Sequence, residues 1–328
     1  MPDDGKDDTI ALRYLLGNCS KGGGSVYIPA GEYVVSPLTT AVGGPLPHAT
    51  VDILPMPSNC HVYGAGHAGS TVTTIALATN GGADGAGVNG VDGCWWRMIG
   101  WCGNASAGLC TDPPSNITIS DLHLTGSTNY TNYTQIAGQR EHGSLIFFYQ
   151  GNPALRPIVG ITVERIFAEK VAGDCMDFGD GVQQLLVSNI TQRDFLRVGV
   201  DQAGAGPIAR DREVRHVVDL PCSLGVKCGN SIHIEEAENL TNVWIHHNNV
   251  QHSIAASGVL NMTISDNVVS GGIVANGDYQ LVIANNTIDA PAGNCPDAGC
   301  CPGMVSVGFG TAVLVATNNL TAGPGCHP

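Results

Sequence analysis

The chain has 328 residues, 43% of them hydrophobic, 13% charged and 5% aromatic, with 44 glycines and a formal net charge of −14. So little charge on so much apolar content excludes a disordered chain, and the lack of any basic run excludes a nucleic-acid partner. No apolar stretch approaches the roughly 18 residues that a membrane helix needs, so membrane insertion is not expected.

The first residues, Met1-Pro2-Asp3-Asp4, carry no charged-then-apolar leader; for a chain expected to be secreted this implies a signal that has been removed or a start that has been trimmed. Asp8-Thr9 is a helix-starting pair, and Ile10, Leu12, Leu15 and Leu16 predict a short helix to about Leu16. The run from Gly22 to Tyr33, Gly-Gly-Gly-Ser-Val-Tyr-Ile-Pro-Ala-Gly-Glu-Tyr, predicts turn, strand and turn. Residues 7–36 are thus expected to cap one end of a larger body. Residues 81–114 are rich in Gly and Cys and do not repeat; they include Asp92-Gly-Cys-Trp-Trp-Arg97, whose paired Trp95 and Trp96 either stack on sugars or fill a loop core.

From residue 115 to 322 a short pattern recurs: apolar, variable, apolar, small polar, often Asn. It appears at Ile117, Ile161, Leu185, Val243, Met262, Leu281 and Val313, with intervals of 19 between Val243, Met262 and Leu281. Earlier intervals are longer and imply loops inserted into the same coil. A second alternating strand follows each one, as in Cys175–Phe178, Val198–Asp201, Ser231–Glu235 and Ile254–Ala256. Units this small bury a core only by stacking, so the expected architecture is all-β: one solenoid domain over 1–328, a right-handed parallel β-helix with a short N-terminal capping helix. Asn248, Asn267, Asn286 and Asn318 fall at one offset, where they tolerate a left-handed corner and bond to each other as a ladder.

Twelve cysteines without a C-x-x-C pair favour disulfides over zinc, with Cys222 and Cys228 a plausible local pair, and imply an oxidising compartment. Ten N-x-S/T sequons start at Asn18, Asn104, Asn116, Asn129, Asn132, Asn189, Asn239, Asn261, Asn285 and Asn319. Either they carry glycans or the strand motif, as in Asn116-Ile-Thr, generates them.

Asp7-Asp8-Thr9, the Gly22–Tyr33 run, Gly64-Ala-Gly66 and Ser70–Ile75 together resemble the capping segment and first coils of the pectin-lyase-like superfamily. That family includes polygalacturonases, uronate lyases and epimerases, and phage tailspikes. The resemblance implies the β-helix and a polysaccharide or oligosaccharide partner, not one activity. Polygalacturonase motifs are only echoed: Gly173-Asp174-Cys175 lacks the paired Asp, Gly66-His67-Ala68 stands too early, and Arg165-Ile-Phe167 lacks the Lys.

Alternation along the second strand set sends Met176, Phe178, Val198, Val200, Ile232 and Ile234 inward, and Asp177, Asp201, His233 and Glu235 outward. The expected alignment puts Asp201 and Glu235 in one outward column, with Asp177 and His233 one outward position earlier. Stacked carboxylates raise one another's pKa, as an acid–base pair for glycoside hydrolysis requires. These four are the expected catalytic residues, against the alternative of a merely solvated acidic face. Arg193 and Arg197, with Arg140 and His142 on the preceding coil, are expected to bind substrate. Asp174, Asp177 and Asp180 are spaced so that calcium is a further expectation, although hydrolysis requires no cofactor. His123, His246 and His247 read as turn or surface residues. Hydrolysis is preferred. A uronate lyase or C5-epimerase, with His233 as base, and a non-catalytic glycosylated wall, fibre or appendage subunit that self-associates through the solenoid, are the alternatives.

Overall fold

A computed structural model describes residues 2–19, 23–36, 51–67, 69, 71–77, 96–102, 112–126, 143–150, 155–171, 173–204, 209–223, 228–235, 240–277, 279–289, 305–308 and 313–321. The chain winds into a right-handed parallel β-helix, as its repeats require. Every strand pairing among the described residues is parallel and joins one coil to the next: Cys60–Gly64 to Ser115–Thr125, then to Ile158–Val171, Val182–Phe195 and Arg210–Asp219. Thr241–His246, Leu260–Ser265, Tyr279–Ala284 and Val313–Ala316 continue the same sheet. The 19-residue period appears directly as the register Val243 to Met262 to Leu281.

A column of left-handed residues bends this sheet: Asp121, Arg165, Asn189, His216, His247, Asp266, Asn285 and Thr317, with φ between 42° and 58°. A second column, from Asn59 and Asn116 through Asp211, Asn242 and Asn261, marks its leading edge. The expected ladder forms, with a correction. Asn248, Asn267 and Asn286 are buried, and each donates its amide to the next Oδ1 in the series, at 2.9, 2.9 and 3.0 Å to Asn318. The left-handed residue of the corner is the one before each, because the ladder amide must turn inward while its neighbour carries the bend. Four sequon asparagines, Asn116, Asn189, Asn261 and Asn285, sit at these exposed left-handed positions, where Asn is favoured for its backbone alone. Replacing Asn267 by Ala leaves the backbone N–H of Asn248 without its acceptor and takes a donor from the Ile245 carbonyl and from Asn286 Oδ1. A loss of about 2–4 kcal/mol is expected, measured by chemical unfolding.

The remaining wall is a nine-stranded sheet. It runs in chain order from Val51–Pro55 and Trp96–Cys102 through Ser144–Tyr149, Asp174–Phe178, Val198–Ala203 and Asn230–Glu235. It ends on Ile254–Ser257, Ile273–Asn276 and Val305–Val307. Between the walls runs one apolar core, with Met176, Phe178, Val200, Ile232 and Ile234 inward. Phe148 and Phe178 stack there, with ring centres 6.3 Å apart and planes nearly parallel.

The helix Thr9–Cys19 closes the first coil. Asp7 Oδ1 accepts the Thr9 N–H at its start, Leu12 and Leu16 are buried, and Ile10 and Leu15 face out. Disulfides Cys19–Cys60 and Cys222–Cys228 form, and among the described cysteines Cys175 is a buried free thiol. The insertion at 81–95, including Trp95, lies outside the described residues.

One coil departs from the expected pattern. The segment from Ala203 to Arg212 reads as an interruption, yet Arg210–Asp219 is a full strand. Arg212 occupies the inward slot that Leu185 and Val243 fill on the neighbouring coils. An arginine in that slot hides the repeat. It is buried, and its guanidinium donates to the carbonyls of Phe178 (2.9 Å), Gly179 (2.8 Å), Val182 and Ala203 (3.1 Å). Burial lowers its pKa to about 10.

Candidate active site

Asp177, Asp201 and His233 form one outward column on three successive coils of the nine-stranded sheet. Ala255, Val274 and Ser306 continue that column, so the charge is local. Glu235 lies opposite Ala203, two residues further along. This corrects the expected alignment: Asp201 stacks on Asp177 and His233, not on Glu235. All four side chains still share the outer face, because a shift of two residues preserves the alternation.

Arg197 ties the group together. It sits in the bend before Val198–Ala203, where its Nη1 donates to Asp174 Oδ2 (2.7 Å) and Asp201 Oδ2 (3.0 Å) and its Nη2 donates to Glu235 Oε2. The expected role in holding substrate gives way to this ion-pair role, since three carboxylates already take up the guanidinium. Asp174 and Asp201 are buried, whereas Glu235 is 38% and Arg197 27% exposed. His233 Nδ1 lies 3.3 Å from Asp201 Oδ1, at an angle that makes no hydrogen bond.

Carboxylate oxygens of Asp174, Asp177 and Asp201 all lie within 4.8 Å of one another. Three negative charges so close and so dry cannot coexist. Burial, then the charge of Asp201, raises Asp177 to about 8 against the pull of Arg97 and Arg197. The same two causes, in the same order, raise Asp174 well above the usual carboxylate range. Burial opposes the charge of Arg197, but Asp174, Asp201 and Glu235 raise its pKa on balance.

Arg97 and Phe147 belong to this site and escape sequence reasoning. Phe147 is the Asp177 position one coil earlier, and the Arg97 guanidinium lies 3.3 Å from the centre of its ring. Extending the outward column backward from Asp177 is the signal that finds Phe147. Only the fold shows that Arg97 reaches it.

Other expected residues fall elsewhere. Arg193 is four residues before Arg197 but on the other side of a bend, on the long-strand sheet. There its Nε donates to Glu169 at 2.6 Å and its guanidinium lies over Phe167. His123 stacks on the same Phe167 and bonds the same Glu169, which is held down to about 2 by these partners in spite of its burial. His246 is buried on Glu213 and Trp244 rather than at the surface, while His247 is the exposed corner residue expected. Arg140 and His142 lie outside the described residues, as do Asn104, Asn129, Asn132 and Asn239. Asn18 and Asn319 are exposed.

A metal would draw on Asp174, Asp177 and Asp201, or on Asp201, His233 and Glu235; Asp180 belongs to neither set. The expected Asp174, Asp177 and Asp180 trio is therefore corrected, because Asp180 stands in the turn after Phe178. Arg197 already stands between the two sets as their counter-charge.

No family model and no curated protein matches the chain. Solved structures do. The enzymatically active domain of tailspike protein 2 from bacteriophage CBA120 superposes with a TM-score of 0.57 at 12% identity, over 97% of this chain and 41% of that one. ORF18 of Geobacillus virus E2 gives 0.51 at 12%, over 96% and 60%. A tailspike mutant of E. coli bacteriophage HK620, in complex with pentasaccharide, gives 0.50 at 14%, over 98% and 56%. At these identities the likeness is one of fold.

Proposed function

We propose that the chain is a secreted polysaccharide glycoside hydrolase, with Asp177 as general acid and Glu235 as the carboxylate that activates water. The observation that carries this reading is the column itself. Among the four carboxyls, Asp177 and Glu235 reach solvent, while Asp174 and Asp201 are buried beneath Arg197. Burial and then the neighbouring Asp201 keep a proton on Asp177, and Arg197 is the cation that holds Glu235 in place. Two such groups in different environments are what acid–base cleavage of a glycosidic bond needs. Glu235 stands two coils from Asp177, which favours the wider, inverting separation over the shorter retaining one.

The substrate is expected to be uncharged. Among the described residues four carboxyls face Arg197 and Arg97, so a polyuronate meets no free cation among them, and Arg197 is not available to neutralise a uronate carboxylate. That favours hydrolysis over a lyase or epimerase reaction. Tailspikes of the same fold, one of them bound to a pentasaccharide, support the carbohydrate assignment.

The test is release of reducing ends from a polysaccharide panel, with and without a chelator. Asp177→Asn and Glu235→Gln are each expected to lower kcat by roughly 10²–10⁴-fold. Asp177 acts protonated, so activity is expected to fall above about pH 8. Asp201→Asn removes the charge that raises Asp177 and is expected to move that limb to lower pH. An unsaturated uronate absorbance would instead identify a lyase, and full activity in Asp177→Asn would overturn the assignment.

A further inference from the structure

Trp244 is 47% exposed, on a different face of the solenoid from the carboxylates. It stands in the outward column Leu186, Glu213, Trp244, Thr263 of the long-strand sheet. One side of the indole rests on the His246 imidazole, with ring centres 3.9 Å apart and planes tilted by 23°. Glu213 Oε1 in turn bonds His246 Nε2 at 3.0 Å, so the ring is fixed on a support rather than free to collapse. Beside it lies an open groove of about 510 Å³, which Leu186 and Asp211 help to line.

Along the groove runs a ladder of amides. Asn261 donates to Asn242 Oδ1 at 2.7 Å, and Asn242 donates to Asp211 Oδ1 at 2.9 Å. The charges there are already matched within the chain. Asp211 pairs with Arg210, and Glu213 pairs with Arg215 and His246. Among the described residues, what remains for a ligand is an aromatic face, an aliphatic edge and amide donors and acceptors, because the Arg212 guanidinium is turned onto backbone carbonyls and the acids are paired. A pyranose ring has the complementary chemistry: an apolar C–H face for the indole and hydroxyls for the amides. A charged polymer, a nucleic acid or an acidic peptide gains nothing from such a surface.

We infer that the Trp244 groove is a second, non-catalytic binding site for an uncharged glycan chain, laid across successive coils. Among the described residues every acidic groove charge is paired inside the chain, and the Arg212 guanidinium that also lines the groove is buried on backbone carbonyls; that absence of an available charge is what selects the occupant. The site stands apart from Asp177 and does not depend on the chemistry proposed for it. A chain held on one face keeps a long polysaccharide near the other.

The probes are cellohexaose, maltohexaose, xylohexaose and chitohexaose, with a polygalacturonate oligomer as the charged control, titrated by calorimetry into full-length protein. The protein is treated with endoglycosidase, because Asn261 begins a sequon. At least one neutral hexasaccharide is expected to bind wild type and the Asp177→Asn variant alike. Trp244→Ala is expected to weaken it at least tenfold, and Trp244→Phe to retain most of it. Trp244 is an exposed strand residue, and unchanged thermal unfolding of the variant shows that the fold is intact. The inference is overturned if no neutral hexasaccharide binds at millimolar concentration, or if Trp244→Ala leaves binding unchanged. It is also overturned if the polygalacturonate control binds better, if sedimentation shows Trp244 holding two copies together, or if a native glycan on Asn261 blocks the groove. Loss of binding in Asp177→Asn but not in Trp244→Ala would place the sugar at the catalytic face alone.

Discussion

Replacing Arg197 by methionine is expected to destabilise the protein by about 3–5 kcal/mol at pH 8 and by much less at pH 5. The variant removes the cation from the bonds that hold Asp174, Asp201 and Glu235, and leaves two buried carboxyls without a counter-charge. At pH 5 Asp174, whose pKa burial already raises, takes up a proton instead. The sign follows from linkage. Asp177 and Asp174 have folded pKa values above the unfolded 3.8, so the folded state binds more protons than the unfolded one above that pH. Their stabilising contribution is complete below about pH 4 and is lost as pH rises through the folded value, near 8 for Asp177. Wild-type stability is therefore expected to decline from mildly acid to mildly alkaline pH, and Arg197→Met to steepen that decline. Glu169 acts in the opposite sense, its contribution being lost as pH falls from 4.5 toward 2. Chemical unfolding at pH 5 and pH 8 measures both slopes. An equal loss at the two pH values would mean that Arg197 acts by packing and not by charge. On the proposed reaction the variant also loses about 100-fold in activity or more, because Glu235 is no longer held. Arg197→Lys keeps a charge but not the fork that reaches three carboxylates, and is expected to fall between the two.

The second large effect is expected at Arg212. Its guanidinium is the inward cap of a corner, bonded to the carbonyls of Phe178, Gly179, Val182 and Ala203. Methionine fits the apolar slot but donates nothing, so four buried carbonyls lose a partner. Against this stands the relief of no longer burying a charge. A net loss of about 2–4 kcal/mol is expected for Arg212→Met, with the opening concentrated in the coils from Asp174 to Asp219. Hydrogen exchange reads this directly: amides of Asp174–Phe178 and Val198–Ala203 should exchange faster while those of Leu260–Ser265 do not. Uniform acceleration along the solenoid would show that Arg212 does not act locally. Both strands also carry the proposed catalytic groups, so Arg212→Met tests whether the corner beneath them sets their geometry.

The regular coils were legible because their physics is local. An inward residue every second position and a left-handed residue at each bend are written into seven or so repeats, with an Asn after the bend in four of them. The Arg210–Asp219 strand was not legible, because the residue in its core slot is charged and only its carbonyl partners, 9 to 34 residues away, make that acceptable. Trp244 was equally hidden. Alternation with inward Val243 and Ile245 sends the ring outward, but nothing in the sequence tells that it lies beside a groove and rests on His246.

What the sequence determined by itself was parity. Side chains alternate along a strand, so Asp177, Asp201, His233 and Glu235 had to share the outer face whatever the alignment of the coils. What only the tertiary structure decided was register and depth. A slip of two residues keeps every side chain on its face, so alternation cannot choose between His233 and Glu235 as the neighbour of Asp201. The loops and bends between coils make that choice, and they place Arg193 and Arg197 on different walls. Depth follows from the same packing: Arg197 folds over Asp201, and burial beside that charge keeps the proton on Asp177.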